Sequence, residues 1–213
     1  MTPVAGVLLA LAGAFAVTDW LGVVHSHRRL RWIAKPGTIL LLLGVALALN
    51  PVSDAERNLF VTALLLSLFG DVYLLMTGDR WFLAGLAAFL AAHLSYLAGF
   101  AVGGVSLALF GVSGPAVVLV SIVFGARLRE EIRRAGRGRM ILPVALYATA
   151  ISAMVALAAA SGRPVALAGA LLFYVSDGLI AWNRFVRPLS WSPLPIIVTY
   201  HVAQGLLVIS LAR

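Results

Sequence analysis

Residues 58–76 read NLFVTALLLSLFGDVYLLM, an apolar run in which Asp71 is the single charged side chain. A helix that crosses the hydrocarbon core of a bilayer needs about 20 consecutive apolar residues. This run therefore predicts a membrane-spanning helix with a carboxylate inside the apolar layer. An ionisable residue in that position is costly, so it is by default a candidate functional residue.

The rest of the chain continues this pattern. Its 213 residues are 62% hydrophobic and 11% charged, whereas a soluble domain is about 45–50% apolar and about 25% charged. The chain has no cysteine, which excludes disulfides, thiolate metal sites and a cysteine nucleophile.

We predict an all-α polytopic membrane bundle, a single integral membrane domain over residues 1–213. About eight transmembrane helices are expected, at residues 4–24, 34–49, 58–76, 81–99, 115–126, 140–160, 164–182 and 193–211. The fifth begins as early as Ser106 if Gly111, Gly114 and Pro115 only kink it.

The basic residues predict the orientation of the bundle. All 16 Lys and Arg residues except Arg57, Arg163 and Arg213 fall in or beside the loops that follow odd-numbered helices. Cytoplasmic loops of membrane proteins carry such an excess. We therefore expect these loops in the cytoplasm and both termini outside a cell membrane. The basic residues behind the net charge of +8 are then expected to fix the orientation of the helices and to contact anionic membrane lipids. No nucleic-acid partner is expected.

A second carboxylate, Asp177, lies within the predicted span at residues 164–182. Asp71 and Asp177 each lie five residues before the cytoplasmic end of spans that run in the same direction, about 8 Å deep. Two carboxylates at one depth are able to face each other across a cavity. Further polar residues fall in the same half of the membrane and predict a polar pocket there: Asp19, Lys35, His93, Tyr96, Tyr147, Asn183, Tyr200, His201 and Gln204.

Each of these other polar residues also has a structural interpretation. Buried Tyr and Gln side chains often join membrane helices by hydrogen bonds. Lys35 and Asp19 are also consistent with interfacial residues that reach toward the headgroups. His93 and His201 follow the two aspartates by 22 and 24 residues, which is a faint indication of two four-helix halves.

The sequence lacks the local motifs of several common enzyme classes. The sequence contains no G-x-S-x-G, no H-E-x-x-H and no P-loop motif. His93, His201, Asp71 and Asp177 have suitable donor types for a metal, but their spacing is not diagnostic. We predict no metal and no cofactor.

Several short motifs occur in order along the chain. They are Ala34-Lys35-Pro36, Ser67-Leu-Phe-Gly-Asp71, Phe82-Leu-Ala-Gly85, Phe89-Leu-Ala-Ala-His93-Leu-Ser-Tyr96, Ser176-Asp177, Asn183-Arg-Phe and Tyr200-His-Val-Ala-Gln204. This ordered set resembles the YhhN family, whose animal members are lysoplasmalogenases. The resemblance implies an eight-helix hydrolase that cleaves the vinyl ether bond of a lysophospholipid substrate, a lysoplasmalogen, to a fatty aldehyde and a glycerophospho-alcohol. By resemblance, Asp71 and Asp177 are the family's aspartates, and Lys35, His93, Tyr200 and Gln204 are its other recurrent polar positions.

Vinyl ether hydrolysis needs an acid that protonates carbon and a negative charge near the resulting cation. We predict that Asp71 and Asp177 supply both as a coupled pair. Lys35 or interfacial arginines would bind the phosphate, while His93, Tyr200 and Gln204 would orient water or the headgroup. A proton-coupled transporter is the alternative for paired intramembrane carboxylates, and a zinc-dependent lipid hydrolase is a third hypothesis.

Overall fold

In a computed structural model, which describes residues 1–212, the chain folds into eight α-helices joined by short loops. They are α1 (Pro3–Val24), α2 (Arg28–Ala48), α3 (Asp54–Leu75), α4 (Asp79–Gly103), α5 (Leu107–Arg134), α6 (Ile141–Ala160), α7 (Pro164–Phe185) and α8 (Pro193–Ile209). The first seven are long and apolar enough to cross a membrane, and α8 is a shorter apolar helix of 17 residues. The prediction of an all-α polytopic membrane bundle is confirmed.

Capping residues determine where several helices begin. The side chains of Thr2, Ser53 and Ser106 each accept a hydrogen bond from a backbone N–H in the first turn of α1, α3 and α5. Such side chains satisfy donors that lack a partner within the helix. Proline lies in the first turn of α1, α7 and α8. It suits this position because it lacks the backbone N–H that would have no partner there.

The prediction of a short fifth span at residues 115–126 is wrong, and the earlier start at Ser106 is confirmed. Helix α5 continues through Pro115, since membrane helices tolerate the loss of one backbone hydrogen bond. It also extends through much of the predicted basic loop. Ion pairs one turn apart, Arg127–Glu131 at 2.9 Å and Arg134–Glu130 at 3.0 Å, support its last turns.

The two ends of the bundle differ in their contacts. At the end that holds both described termini, the Val52 N–H donates to the Leu211 carbonyl at 3.2 Å and the Ser106 N–H to the Ala160 carbonyl at 2.8 Å. We call this the termini end. The opposite end holds the loops after α1, α3, α5 and α7, and we call it the basic end. Arg213, which was assigned to the termini side, lies outside the described residues.

Consecutive helices pack as antiparallel pairs, and α7 and α8 approach each other closely at Gly169. A Cβ atom at Gly169 would lie 3.1 Å from the Ala203 carbonyl oxygen and 3.1 Å from the backbone nitrogen of Leu207. Small residues allow this kind of approach between membrane helices. The contact fixes α8 against α7, and these helices carry Tyr200 and Asp177.

We expect Gly169→Leu to destabilise the protein by about 1–3 kcal/mol, the usual cost of overpacking. Thermal unfolding in detergent measures the loss. Gly205→Leu is the matched control on α8, because a Cβ there meets no atom within 4 Å. Equal melting temperatures for the two variants would contradict the close approach of α7 and α8.

Candidate active site

Asp71 is the meeting point of three helices. It lies one turn before the end of α3 and is completely buried. Its Oδ1 lies 2.9 Å from Nζ of Lys35 on α2, and its Oδ2 accepts a hydrogen bond of 2.7 Å from the hydroxyl of Tyr200 on α8. Because α2 begins at Arg28 rather than at residue 34, Lys35 lies about 10 Å along the helix. Its ammonium group is therefore directed at Asp71 inside the bundle.

The Asp71 cluster continues through buried amide and phenol groups. The Gln204 Nε2 donates to the Tyr200 hydroxyl oxygen at 3.4 Å, and the Tyr96 hydroxyl donates to the Gln204 Oε1 at 2.5 Å. Both Tyr96 and Gln204 have no exposed surface. The network joins α2, α3, α4 and α8, and an unpaired member would leave a polar group buried without a partner.

Asp177 has a different set of partners. The Tyr147 hydroxyl on α6 donates to its Oδ2 at 2.5 Å, and Nε2 of His93 on α4 lies 3.5 Å from the same oxygen. The His93 Nδ1 is 2.6 Å from the carbonyl oxygen of Phe89. Since a carbonyl only accepts, we assign the proton to Nδ1. Nε2 of the neutral ring then carries no proton and has no hydrogen-bond partner among residues 1–212.

Aromatic rings separate the two clusters. The ring of Phe173 lies 4.7 Å from that of His93 and 5.4 Å from that of Tyr200, measured between centroids. The two aspartates thus occupy neighbouring sites with separate hydrogen-bond partners.

Asp177 differs from Asp71 in facing a cavity. A cavity of about 50 Å³ lies toward the basic end, and Asp177 and Tyr147 are the polar members of its lining. The side chain of Asp177 is 12% exposed, whereas that of Asp71 is 0% exposed. This volume is enough for water molecules. The apolar part of the lining consists of Leu74, Phe82, Leu86, Phe89, Val144, Ile180, Ala181 and Phe185.

The remaining polar residues predicted for the pocket lie elsewhere at the basic end. Asn183 accepts a hydrogen bond of 2.7 Å from the Leu189 N–H and so holds the loop after α7. Asp19 is buried on α1, and its Oδ1 lies 3.2 Å from Nε of Arg31. The Trp20 Nε1–H donates to the Nδ1 of His201 at 3.2 Å. These contacts tie α1 to α2 and α8.

A hydroxyl cluster between α5, α6 and α7 was missed by the sequence analysis. Ser121 Oγ lies 2.7 Å from Ser152 Oγ and 3.2 Å from the Tyr174 hydroxyl. Serine is common in membrane helices, so neither Ser121 nor Ser152 was singled out as a candidate residue. The spacing of Tyr174 and Asp177, three residues apart on one face of α7, was the available signal.

Acidic and histidine side chains are the metal-binding residue types that this cysteine-free chain contains. Within residues 1–212, no three His, Asp or Glu side chains gather closely enough to hold a metal ion.

The sequence matches the YhhN family over residues 30–211, the part of the chain that carries Lys35, Asp71, His93, Asp177 and Tyr200. The chain belongs to the YhhN family. Among its relatives, lysoplasmalogenase TMEM86B of Homo sapiens is 33% identical over 188 residues, covering 87% of this chain and 78% of the relative. A lysoplasmalogenase of Mycobacterium bovis is 30% identical over 224 residues, covering 92% and 83%. Lysoplasmalogenase TMEM86A of Homo sapiens is 30% identical over 181 residues, covering 80% and 72%. No solved structure matches this YhhN protein.

Proposed function

We propose that this protein is a membrane-embedded lysoplasmalogenase. It cleaves the vinyl ether bond of a lysophospholipid to a fatty aldehyde and a glycerophospho-alcohol. The observation that carries this proposal is Asp177, a carboxyl group at the wall of an otherwise apolar cavity, flanked by Tyr147 and His93. The apolar wall beside this carboxyl group suits the vinyl ether end of the alkenyl chain, and the carboxyl group is the acid that this chemistry requires. The family relatives named lysoplasmalogenase support the same activity.

Asp177 is the proposed catalytic acid. Tyr147 and His93 both approach Oδ2, so we assign the transferable proton to Oδ1. This proton adds to the β-carbon of the vinyl ether, and the electron pair of the double bond forms the new C–H bond. The ether oxygen then shares the positive charge with the adjacent carbon as an oxocarbenium ion. A carboxylate is left at Asp177, directly beside this cation.

Water completes the reaction. One water molecule adds to the oxocarbenium carbon and gives a proton to Asp177 or to the free Nε2 of His93. The hemiacetal that results loses its hydroxyl proton, while the leaving glycerol oxygen gains one. The aldehyde and the alcohol are released, one water molecule is consumed, and Asp177 regains its proton. General acid–base catalysis of this kind contributes about 10²–10⁴-fold to a rate.

Asp71 is proposed to support the reaction from behind Phe173. Its ion pair with Lys35 places two fixed charges next to the Asp177 cluster. In a water-poor site, fixed charges act on a developing cation more strongly than they do in water. Lys35 is engaged by Asp71, so the phosphate of the substrate falls to arginines at the basic end. We further propose that the basic end faces the cytoplasm, as the distribution of Lys and Arg predicts.

Aldehyde release from a lysoplasmenyl lipid tests the proposal directly. Purified protein in detergent is expected to release one fatty aldehyde per substrate consumed, with or without a metal chelator. Absence of aldehyde, together with proton-coupled uptake of a solute into proteoliposomes, would favour the transporter. Loss of the activity with a chelator, and its return with zinc, would favour the zinc-dependent hydrolase.

A further inference from the structure

Helix α5 is the least buried membrane helix of the bundle. Only Gly114, Leu128 and Ile132 of its 28 residues are buried. Beside it, between α5 and α6, runs an open groove with a volume of about 800 Å³. Small-molecule sites are typically about 300–1,000 Å³. We name it the α5–α6 groove, and its lining includes Val118, Gly125, Arg129, Ala148, Ser152 and Ala156.

Small residues in this lining border open space between α5 and α6. Small residues on neighbouring membrane helices ordinarily let the two backbones approach and close the space between them. Here Gly125 and Ala148 border a groove, and a Cβ atom at Gly125 would meet no atom within 4 Å. The space is therefore available to an apolar ligand.

We propose that the α5–α6 groove binds the hydrocarbon chain of a single-chain phospholipid whose phosphate contacts Arg129. This inference rests on the proposed function, because it gives the chain of the same substrate its binding site. The groove is lined from Phe110 to Ile132, and the part between Phe110 and Arg129 is about 28 Å long along α5. That length approaches the hydrocarbon thickness of a bilayer, about 30 Å, so it accommodates a chain that spans one leaflet.

Charge supports a phosphate at the basic end of the groove. Arg127 and Arg134 on α5 are engaged by Glu131 and Glu130. Arg129 is exposed, lines the groove and makes no ion pair with any of residues 1–212. A guanidinium group binds a phosphate through two parallel hydrogen bonds. One unpaired cation at the end of an apolar groove complements an amphiphile with one phosphate and one chain.

The groove also adjoins the cavity at Asp177. Val144 on α6 lines both the groove and the cavity. Leu128, Ile132, Val144 and Phe185 form a small apolar cluster apart from the main core, and this cluster is the partition between the two spaces. A lipid with its phosphate at Arg129 and its chain in the groove would therefore be separated from the proposed acid by this cluster alone.

Binding of a substrate analogue tests the groove separately from catalysis. The probe is a 1-O-alkyl lysophospholipid, whose saturated ether has no vinyl bond to hydrolyse. We expect Gly125→Phe in the full-length protein to raise the Kd of this lipid by at least about tenfold, equivalent to about 1.4 kcal/mol. Gly111→Phe is the matched control on the same helix. It lies outside the groove lining and is equally open, with no atom within 4 Å of a Cβ, so its Kd should not change.

Arg129→Gln tests the phosphate contact. It should weaken binding of the alkyl lysophospholipid and leave binding of a monoalkylglycerol, which lacks the phosphate, unchanged. Arg133→Gln is the control, because Arg133 is an exposed arginine of the same helix that does not line the groove. Equal effects of the two arginine variants would overturn the assignment of the phosphate to Arg129.

The remaining outcomes separate this inference from the proposed function. If the wild type forms aldehyde but Gly125→Phe binds the analogue normally, the groove is not the chain site. If the groove variants lose binding while no vinyl ether lipid is cleaved, the lipid site stands and the lysoplasmalogenase proposal fails. Competition by a two-chain phospholipid as strong as by the analogue would show ordinary boundary lipid and overturn the inference. A change of oligomeric mass in Gly125→Phe would identify a contact between copies and overturn it as well.

Discussion

Asp177→Asn is expected to lower the rate of aldehyde release by about 10²–10⁴-fold, the usual contribution of a positioned general acid. Asparagine has nearly the same shape as aspartate and is still able to accept the Tyr147 hydrogen bond, but its amide is not an acid that protonates carbon. The protein should therefore stay folded. Steady-state aldehyde release and thermal unfolding of the same preparation measure the two properties.

Asp79→Asn provides the control for this result. Asp79 lies in the first turn of α4, is 76% exposed and pairs with Arg184 at the basic end. Its replacement removes one carboxylate without touching the cavity, so turnover should stay near the wild-type rate. Near-normal turnover of Asp177→Asn would rule out Asp177 as the acid, whatever the control does.

Lys35→Met is expected to cost about 3–5 kcal/mol of stability, because it leaves a buried carboxylate without its partner. Asp71→Asn should also be strongly destabilising, since it leaves the Lys35 ammonium group buried and unpaired. The double variant, Lys35→Met with Asp71→Asn, removes both charges together and should recover much of the lost stability. Any turnover below the wild-type rate that remains in the double variant is then the contribution of this ion pair to the reaction, separate from its contribution to stability.

Denaturant unfolding in detergent measures this cycle, with turnover as the second readout. Arg127→Met is the matched control at an exposed pair, because Arg127 is 53% exposed and pairs with Glu131 one turn away. Such pairs contribute about 0–1 kcal/mol. A double variant no more stable than either single one would show that Lys35 and Asp71 are not coupled in the folded protein.

The sequence predicted the membrane bundle well because each span is defined by local physics. A run of about 20 apolar residues is readable without knowledge of its neighbours, as residues 58–76 illustrate. Errors arose where charge and helix overlap. Residues 127–134 were predicted to be loop because of their arginines, yet ion pairs along the helix keep them in α5. A division into two four-helix halves stays a prediction.

The candidate site was predictable in its membership and not in its arrangement. Asp71 and Asp177 stood out because charges inside a span are rare. Their different surroundings depend on how the helices rotate, which side-chain packing decides. Depth alone therefore could not show that Lys35 faces Asp71 while Tyr147 and His93 face Asp177. The α5–α6 groove was equally hidden, because small residues indicate close packing as readily as they indicate open space.

The cavity at Asp177 lies toward one end of the bundle, and this position limits which substrate molecules reach it. The Asp177 cavity and the Arg129 end of the groove lie toward the basic end, whereas the loops at the termini end are held together by backbone hydrogen bonds. The proposed reaction is therefore one-sided. Lysolipid in the leaflet at the basic end is within reach, whereas lysolipid in the other leaflet must first undergo transbilayer flip. In a sealed compartment, the pool of substrate that this protein consumes is set by the asymmetry of the membrane as much as by the chemistry of Asp177.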